Sequence, residues 1–454
     1  MFILRAVQKA GFAALFALSL SACSGGEDGS GPSGPPLIEQ FSADRSSYFI
    51  GERAQVTARF ENGTARIEPG GVAVQNGQTV ASVALDYGPN ELELVVSDGV
   101  TTATRTLTVN ASYRERMRSI EAPFARGEHA AVRLSDGRVL IAGGEDDSTA
   151  FPTSLWVFDP TTERFSDFGA SLSTGRVGFT ATLLEDGNIL IAGGERGLTA
   201  APSAEIIRTV DRTVVPTATS MQQARTFAAA TLLMDGKVFI SGGTGLAAGD
   251  AVEIYDPVTG EFALLPGRLA VGRYSHTTVR IDARRILIYG GFTNSQQFAP
   301  PEIYDPVTGI STLLQPIEAH TRGNHRAHTM QDGGVLIIGG EDHDSNPLTS
   351  VVRFDPASNI IAPFANLATP RSLFALGRLA DARVLLVGGD TGQPEDRISN
   401  ATETLALDGT RRDGPDLSQR RWLHTVTTLH DGRLLIVGGL GADRMPIRGA
   451  EIYE

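Results

Sequence analysis

Residues 138–144 read RVLIAGG, and the same pattern of a short apolar run before two glycines returns six more times. The later copies begin at residues 188, 237, 285, 334, 383 and 433 and read NILIAGG, KVFISGG, RILIYGG, GVLIIGG, RVLLVGG and RLLIVGG. The first glycines of consecutive pairs stand 50, 49, 48, 49, 49 and 50 residues apart. A fixed period of this length indicates a repeat protein, because one unit cannot bury its own apolar face and stacked units must form the core together.

Each unit carries further signals at fixed places. The apolar runs are rich in β-branched residues and apolar on both faces, which predicts buried central strands. Asp-Gly pairs before the runs, such as Asp136-Gly137, predict type I′ hairpin turns. Asp-Pro pairs such as Asp305-Pro306 predict the end of a third strand, because proline cannot donate to a sheet. An arginine stands 17 positions before the first glycine of every pair: Arg126, Arg176, Arg225, Arg273, Arg322, Arg371 and Arg421.

The double glycine, the E-I-Y-D-P type of third strand and the arginine that opens the next unit resemble the Kelch-repeat family. Units of that family are four-stranded blades of a β-propeller. The resemblance covers residues 113–454 and implies an all-β fold, a seven-bladed Kelch-type β-propeller like the central domain of galactose oxidase. We number the blades one to seven in the order of their arginines. The last unit stops at Glu454 after its third strand, so we expect residues near Glu115 to Ile120 to supply the fourth strand and close the ring.

The first 22 residues are typical of an export signal. They contain Arg5 and Lys9, no acidic residue, and an apolar run too short to span a bilayer. The run ends in Leu-Ser-Ala-Cys at Cys23, which resembles a bacterial lipobox, and Cys23 is the only cysteine. We therefore predict a lipoprotein signal peptide over residues 1–22 and a lipidated Cys23. A cleaved secretory signal followed by an incidental cysteine is the alternative.

Ser24 after the cysteine resembles outer-membrane sorting, so we expect a lipid-anchored protein of the bacterial cell envelope, at the outer membrane, with the leaflet left open. Residues 23–36 hold the lipidated cysteine and a Gly-, Ser- and Pro-rich linker. Residues 37–112 alternate apolar and polar residues between turn signals such as Asn62-Gly63. They resemble an immunoglobulin-like β-sandwich without its cysteines, and we expect a spacer between anchor and propeller.

Charge and histidine placement limit the partners. The formal net charge of −13 becomes −15 once Arg5 and Lys9 leave with the signal, and an anionic protein is not suited to binding nucleic acid. Four histidines stand three residues after a repeat arginine, which favours a structural role; they are His129, His276, His325 and His424. His325 and His328 lie an odd number apart on one strand and should face opposite sides. We expect no metal site, no cofactor and a monomer.

The candidate ligand site lies on the face that carries the arginines and the residues after the glycine pairs. This face carries seven arginines but only four acids directly after the glycines: Glu145, Glu195, Glu341 and Asp390. One hypothesis is that Arg126, Arg176, Arg225, Arg273, Arg322, Arg371 and Arg421 capture an acidic ligand through bidentate contacts. The alternative is that a residue present in every blade joins the blades. Tyr274 and Trp422, which follow two of the arginines, complete the candidate site for sugar or peptide stacking, or fill gaps between blades.

From these features we predict a binding or scaffold module for a protein or carbohydrate ligand, and no enzyme. The copper chemistry of galactose oxidase needs a tyrosine crosslinked to a cysteine, and Cys23 is already the lipid attachment site. A periplasmic sugar-acid mutarotase, which in this fold acts with charged residues alone, is the alternative. A catalytic protein needs a buried acid or histidine with a shifted pKa near the channel, whereas a binding module needs exposed arginines and aromatic residues.

Overall fold

A computed structural model describes residues 34–148, 151–197, 199–245, 249–295, 297–315, 321–394 and 397–454. The signal peptide and Cys23 lie outside these residues, as does His320. The described chain is built from strands, and no helix in it is long and apolar enough to cross a membrane.

Seven consecutive four-stranded antiparallel sheets form the ring of blades. From the inner to the outer strand, the bounds are Ala130–Arg133, Val139–Ala142, Ser154–Asp159 and Arg164–Ser171 in blade one; Thr180–Leu183, Ile189–Ala192, Ala204–Arg208 and Thr213–Pro216 in blade two; Ala229–Leu232, Val238–Ser241, Val252–Asp256 and Glu261–Leu264 in blade three; Thr277–Arg280, Ile286–Tyr289, Glu302–Asp305 and Ile310–Leu313 in blade four; Arg326–Thr329, Val335–Ile338, Ser350–Asp355 and Ile360–Asn366 in blade five; Ala375–Arg378, Val384–Val387, Thr402–Leu405 and Arg411–Asp413 in blade six; and Thr425–Thr428, Leu434–Val437, Arg448–Tyr453 and Met117–Ala125 in blade seven. The predicted all-β propeller is confirmed.

The two ends of the propeller pair within blade seven. The strand Met117–Ala125 lies antiparallel to Arg448–Tyr453, with Met117 opposite Tyr453 and Ile120 opposite Ala450. This strand starts two residues later and ends five residues later than the Glu115 to Ile120 segment expected from the sequence. No free sheet edge is left at the junction, because the first strand of the ring covers the last.

The second strand of every blade is fully buried, as its apolar run predicts. Its glycine pair then joins the blade to the next one. The second glycine donates its backbone N–H to the carbonyl of the following blade's arginine, as Gly439 does to Arg126 across the closure at 2.8 Å. A side chain on Gly438 would meet that carbonyl, so the pair is needed for close approach of the blades.

The Asp-Gly hairpins are not type I′ turns. Gly137 has φ of +89°, but Asp136 is not among the residues with positive φ. Gly137 N–H bonds the Leu134 carbonyl, and the Asp136 carboxylate accepts the Arg138 N–H at 3.0 Å, which holds the aspartate in a right-handed conformation. The prediction was wrong because this side-chain bond favours a type I turn followed by a left-handed glycine.

The N-terminal segment folds as two packed sheets around one apolar core. One sheet has three strands, Leu37–Ala43, Arg53–Glu61 and Thr79–Ala84; the other has five, Ser47–Phe49, Thr102–Ser112, Gly88–Ser97, Thr64–Glu68 and Val72–Val74. Its likeness to immunoglobulin domains stays a prediction.

The sandwich packs directly on the propeller. Tyr113 stacks between Tyr87 and Tyr453, and its hydroxyl donates to the Gly432 carbonyl and accepts the Ala380 N–H, each at 2.8 Å. Gly432 lies in an Asp-Gly turn, on the face opposite the glycine pairs. The sandwich therefore leaves the glycine-pair face of the ring open.

Candidate functional site

The repeat arginines are buried inside the blades. All seven have 4% exposure or less, and Arg273 donates to the Gly290 carbonyl at 3.0 Å and forms an ion pair with Glu302. In blades one and five, Arg126 and Arg322 instead donate to the hydroxyls of Ser154 and Ser350. The other four ion pairs are Arg176–Glu205, Arg225–Glu253, Arg371–Glu403 and Arg421–Glu451.

This placement favours the structural alternative for all seven arginines, and none of them lines the cavity on the propeller axis. The acids that pair with them stand on the third strands, not after the glycines. The pairing acids are recognisable in the sequence, because Glu253, Glu302 and Glu451 begin the E-I-Y motifs. They were missed because only the acids after the glycines were considered. We assign the arginines to the framework of the blades.

A cavity of about 610 Å³ opens on the propeller axis and is lined by residues of all seven blades. Its rim holds one left-handed residue per blade, two positions after the arginine: Glu128, Gly178, Phe227, Ser275, Asn324, Leu373 and Leu423. Backbone bonds link neighbouring rim residues, from Glu128 to Leu423 at 3.2 Å and from Leu423 to Leu373 at 3.0 Å. All seven blades share this conformation, so it belongs to the framework, and the cavity that the rim surrounds is the candidate binding site.

Aromatic side chains line the cavity from several blades. Tyr274 and Phe292 stack with ring centroids 5.4 Å apart, and Phe292 continues to Phe298 at 5.1 Å. Trp422 lines the cavity from blade seven, and its indole N–H is buried without a hydrogen-bond partner in the described chain. The cavity brings both predicted aromatic residues, Tyr274 and Trp422, into one site with Phe227 of blade three.

The four repeat histidines line the wall of the same cavity and are neutral. Burial, with the charge of Arg126, lowers the pKa of His129 to about 3. The ring of His129 contacts the hydroxyl of Thr425 in the neighbouring blade at 2.8 Å and packs over the glycine at 438. His276 packs on Gly242 in the same way. These contacts give the histidines a role in joining blades, as the sequence predicted.

Glu128 is the acid that the sequence did not single out. It lies half-buried on the rim, and burial, together with the charges of Glu145 and Glu195, raises its pKa to about 7. Glu128 forms no salt bridge with an arginine or lysine of the described residues. The cavity therefore contains a carboxyl group that exchanges its proton near neutral pH, which suits general acid–base chemistry.

Replacing Glu128 with glutamine should make the protein more stable at pH 8 but not at pH 4. A carboxyl whose folded pKa lies above its unfolded value loses stability as the pH rises from about 4.5 to 7. The gain is about 3 kcal/mol at most, and about 1–2 kcal/mol after allowing for solvent in the open cavity. Urea denaturation at pH 4, 6 and 8 measures it, with exposed Glu91→Gln as the control. The same effect of Glu128→Gln at all three pH values would contradict the assignment.

The cavity also contains a cationic side chain, Arg326, that the sequence did not single out. Arg326 is the first residue of the inner strand of blade five, where the other six blades have alanine or threonine. It lines the axial cavity, and burial lowers its pKa. A comparison of the repeats at the fourth position after each arginine would have revealed it.

No protein-family model matches the chain, and no curated protein matches it. Solved structures, in contrast, do match the chain. One is a fungal alcohol oxidase of the AA5 family in complex with copper, with a TM-score of 0.62 and 15% sequence identity over 74% of this chain and 75% of that one. The likeness shows the fold, a galactose-oxidase-like β-propeller. At this identity it is no evidence for a shared activity.

The prediction that the chain is no enzyme is contradicted, because a solved structure with this fold is an oxidase. The residues do not fit a copper centre of the galactose-oxidase kind. Among the described ranges no three His, Cys, Asp or Glu side chains converge as metal ligands, and the single cysteine lies outside those ranges. Glu128 and Arg326 are charged groups of the cavity that could take part in chemistry there.

Proposed function

We propose that the protein binds a carbohydrate in its axial cavity. The observation that carries the proposal is the aromatic lining of the cavity, where Tyr274 and Phe292 stack on blade four and Trp422 lines the cavity from blade seven. Polar side chains such as Asn324 line the same cavity. Sugar rings stack on aromatic faces while their hydroxyls bond nearby polar atoms. The volume of about 610 Å³ suits a ligand of a few sugar units.

The predicted lipid anchor at Cys23 would hold this site at the cell envelope. Because the sandwich packs against the Asp-Gly turns through Tyr113, the glycine-pair face points away from the sandwich. An anchor placed before the sandwich would thus leave the cavity open to ligands. Globomycin treatment of expressing cells, followed by mass spectrometry of the N-terminus, tests the anchor; an unmodified mature Cys23 would refute it.

Removing an aromatic side chain from the cavity is expected to weaken carbohydrate binding. The full chain, purified in detergent, is screened on a glycan array and its best ligand is titrated by calorimetry. Tyr274→Ala and Trp422→Ala should each raise the Kd about tenfold, since one stacking contact is worth about 1–2 kcal/mol. Ile310→Ala, an exposed apolar position on the outer strand of blade four, is the matched control.

Two outcomes would overturn this proposal. The first is an array without any binding glycan. The second is a glycan whose Kd is changed by Ile310→Ala as much as by Tyr274→Ala, which would place its site elsewhere.

A sugar mutarotase is the second candidate, favoured by Glu128. Opening a sugar ring requires a proton to be given to the ring oxygen and another to be taken from the anomeric hydroxyl, and a carboxyl with a pKa of about 7 can do either. Polarimetry of a freshly dissolved anomer of the bound sugar tests the activity. Glu128→Gln should abolish the acceleration while leaving the Kd within about threefold.

A further inference from the structure

Arg326 lines the axial cavity at a position where the fold of the blade does not require a cation. It begins the inner strand of blade five, and the equivalent residues are Ala130, Thr180, Ala229, Thr277, Ala375 and Thr425. Those small residues show that the blade does not need an arginine at this position. The seven repeat arginines, in contrast, are used in every blade.

The guanidinium of Arg326 has no carboxylate within ion-pair distance among the described residues, and its one recorded hydrogen bond is a long contact of 3.5 Å to the His325 carbonyl. The cavity also contains the carboxyl of Glu128, but it forms no salt bridge with Arg326. The neighbouring His325 and His424 do not compensate the charge either, since the charge of Arg326 itself helps to lower the pKa of both. Arg326 is half-buried, and a charge that is partly removed from water without a partner favours an anion that can compensate it.

We propose that Arg326 is the counter-ion for a carboxylate on the ligand of the axial cavity. The inference rests on the proposed carbohydrate function and narrows it to carboxylated sugars, such as uronic acids. A planar guanidinium binds a carboxylate through two parallel hydrogen bonds. The site supplies one cation, which matches the single charge of a carboxylate and leaves the second charge of a phosphate monoester uncompensated.

Other groups in the cavity are placed to complete such a site. Both ring nitrogens of His424 lack hydrogen-bond partners, and His424 lines the same cavity as Arg326. The side-chain amide of Asn324, also on the wall, donates to Glu341 at 3.1 Å and keeps its oxygen as an acceptor for a sugar hydroxyl. Tyr274 and Phe292 lie on the neighbouring blade, so a sugar ring stacked there has its carboxylate within the same cavity as the guanidinium.

The first test asks whether the site takes an anion at all. Crystals of the full chain grown with sodium bromide should show an anomalous peak at hydrogen-bond distance from the guanidinium of Arg326. Arg326→Gln should lose this peak. Arg280→Gln removes another arginine of an inner strand, one whose guanidinium donates to the Leu232 carbonyl at 2.8 Å, and should keep it. A wild-type crystal without bromide at Arg326 would overturn the proposal.

The second test uses the methyl glycoside of galacturonic acid, which carries one carboxylate, and the methyl ester of the same glycoside, both titrated by calorimetry at constant ionic strength. The acid should bind at least tenfold more tightly than the ester, and Arg326→Gln should remove this difference. If both sugars bind equally, the carbohydrate function survives and the role of Arg326 fails. If bromide occupies the site and neither sugar binds, the role of Arg326 in binding this carboxylated sugar is refuted, whereas the carbohydrate proposal is decided by the glycan array.

Discussion

Replacing Arg273 with alanine is expected to lower the free energy of unfolding by about 3–5 kcal/mol, because it leaves a buried carboxylate without its cation. Arg273 and Glu302 are both fully buried within blade four. Glu302 also accepts the backbone N–H of Ala270 at 2.7 Å. The arginine in turn bonds the carbonyl of the first glycine of its pair at 3.0 Å. One side chain thus ties together the loop before the inner strand, the second strand and the third strand.

A double-mutant cycle isolates this ion pair. Arg273→Ala/Glu302→Ala should be less destabilised than the sum of the single variants by about 1–3 kcal/mol, because the double variant buries no lone charge. Arg268→Ala breaks an exposed ion pair with Asp250 and should cost less than about 1 kcal/mol. Urea denaturation measures all four variants. A stable Arg273→Ala protein that has lost ligand binding would revive the ligand-capture hypothesis for the arginines.

The Gly439→Ala variant is expected to lose about 3 kcal/mol or more of stability, because the ring closes at this residue. Gly439 has φ of +97°, and its N–H donates to the Arg126 carbonyl of blade one at 2.8 Å. A methyl group there would meet the carbonyl of Trp422 and the side chain of His424. Steric conflict within blade seven, together with backbone strain, should therefore displace Gly439 and weaken the bond that closes the ring.

Gly169→Ala separates these two causes. Gly169 has φ of +88°, close to that of Gly439, but open space surrounds the position of its missing side chain. This control should cost only the backbone strain, about 1 kcal/mol. Thermal unfolding of both variants, followed by circular dichroism, gives the comparison. Equal losses at both positions would show that the conflict with Trp422 and His424 costs nothing beyond the backbone strain.

The acid and the cation of the axial cavity show why repeat analysis found the fold more easily than the site. A feature shared by seven blades is visible as a pattern, and such a feature serves the contacts that every blade makes. Glu128 and Arg326 each occur once, so they stand out only after the repeats are aligned position by position. The repeat arginines were the more conspicuous candidates, and burial inside the blades assigns them to the framework.

The sequence by itself determined the blade number, the buried second strands and the region from which the closing strand comes, because hydrophobic period and glycine spacing are local properties of the chain. Only the tertiary structure decided which charges are compensated. Arg273 reaches a glutamate 29 residues away, whereas Arg326 reaches no carboxylate in the described chain. The pKa of Glu128 likewise depends on Glu145 and Glu195 from blades one and two. Charge pairing depends on which strands pack beside one another within a blade, and burial depends on the packing of neighbouring blades; neither is a local property of the chain.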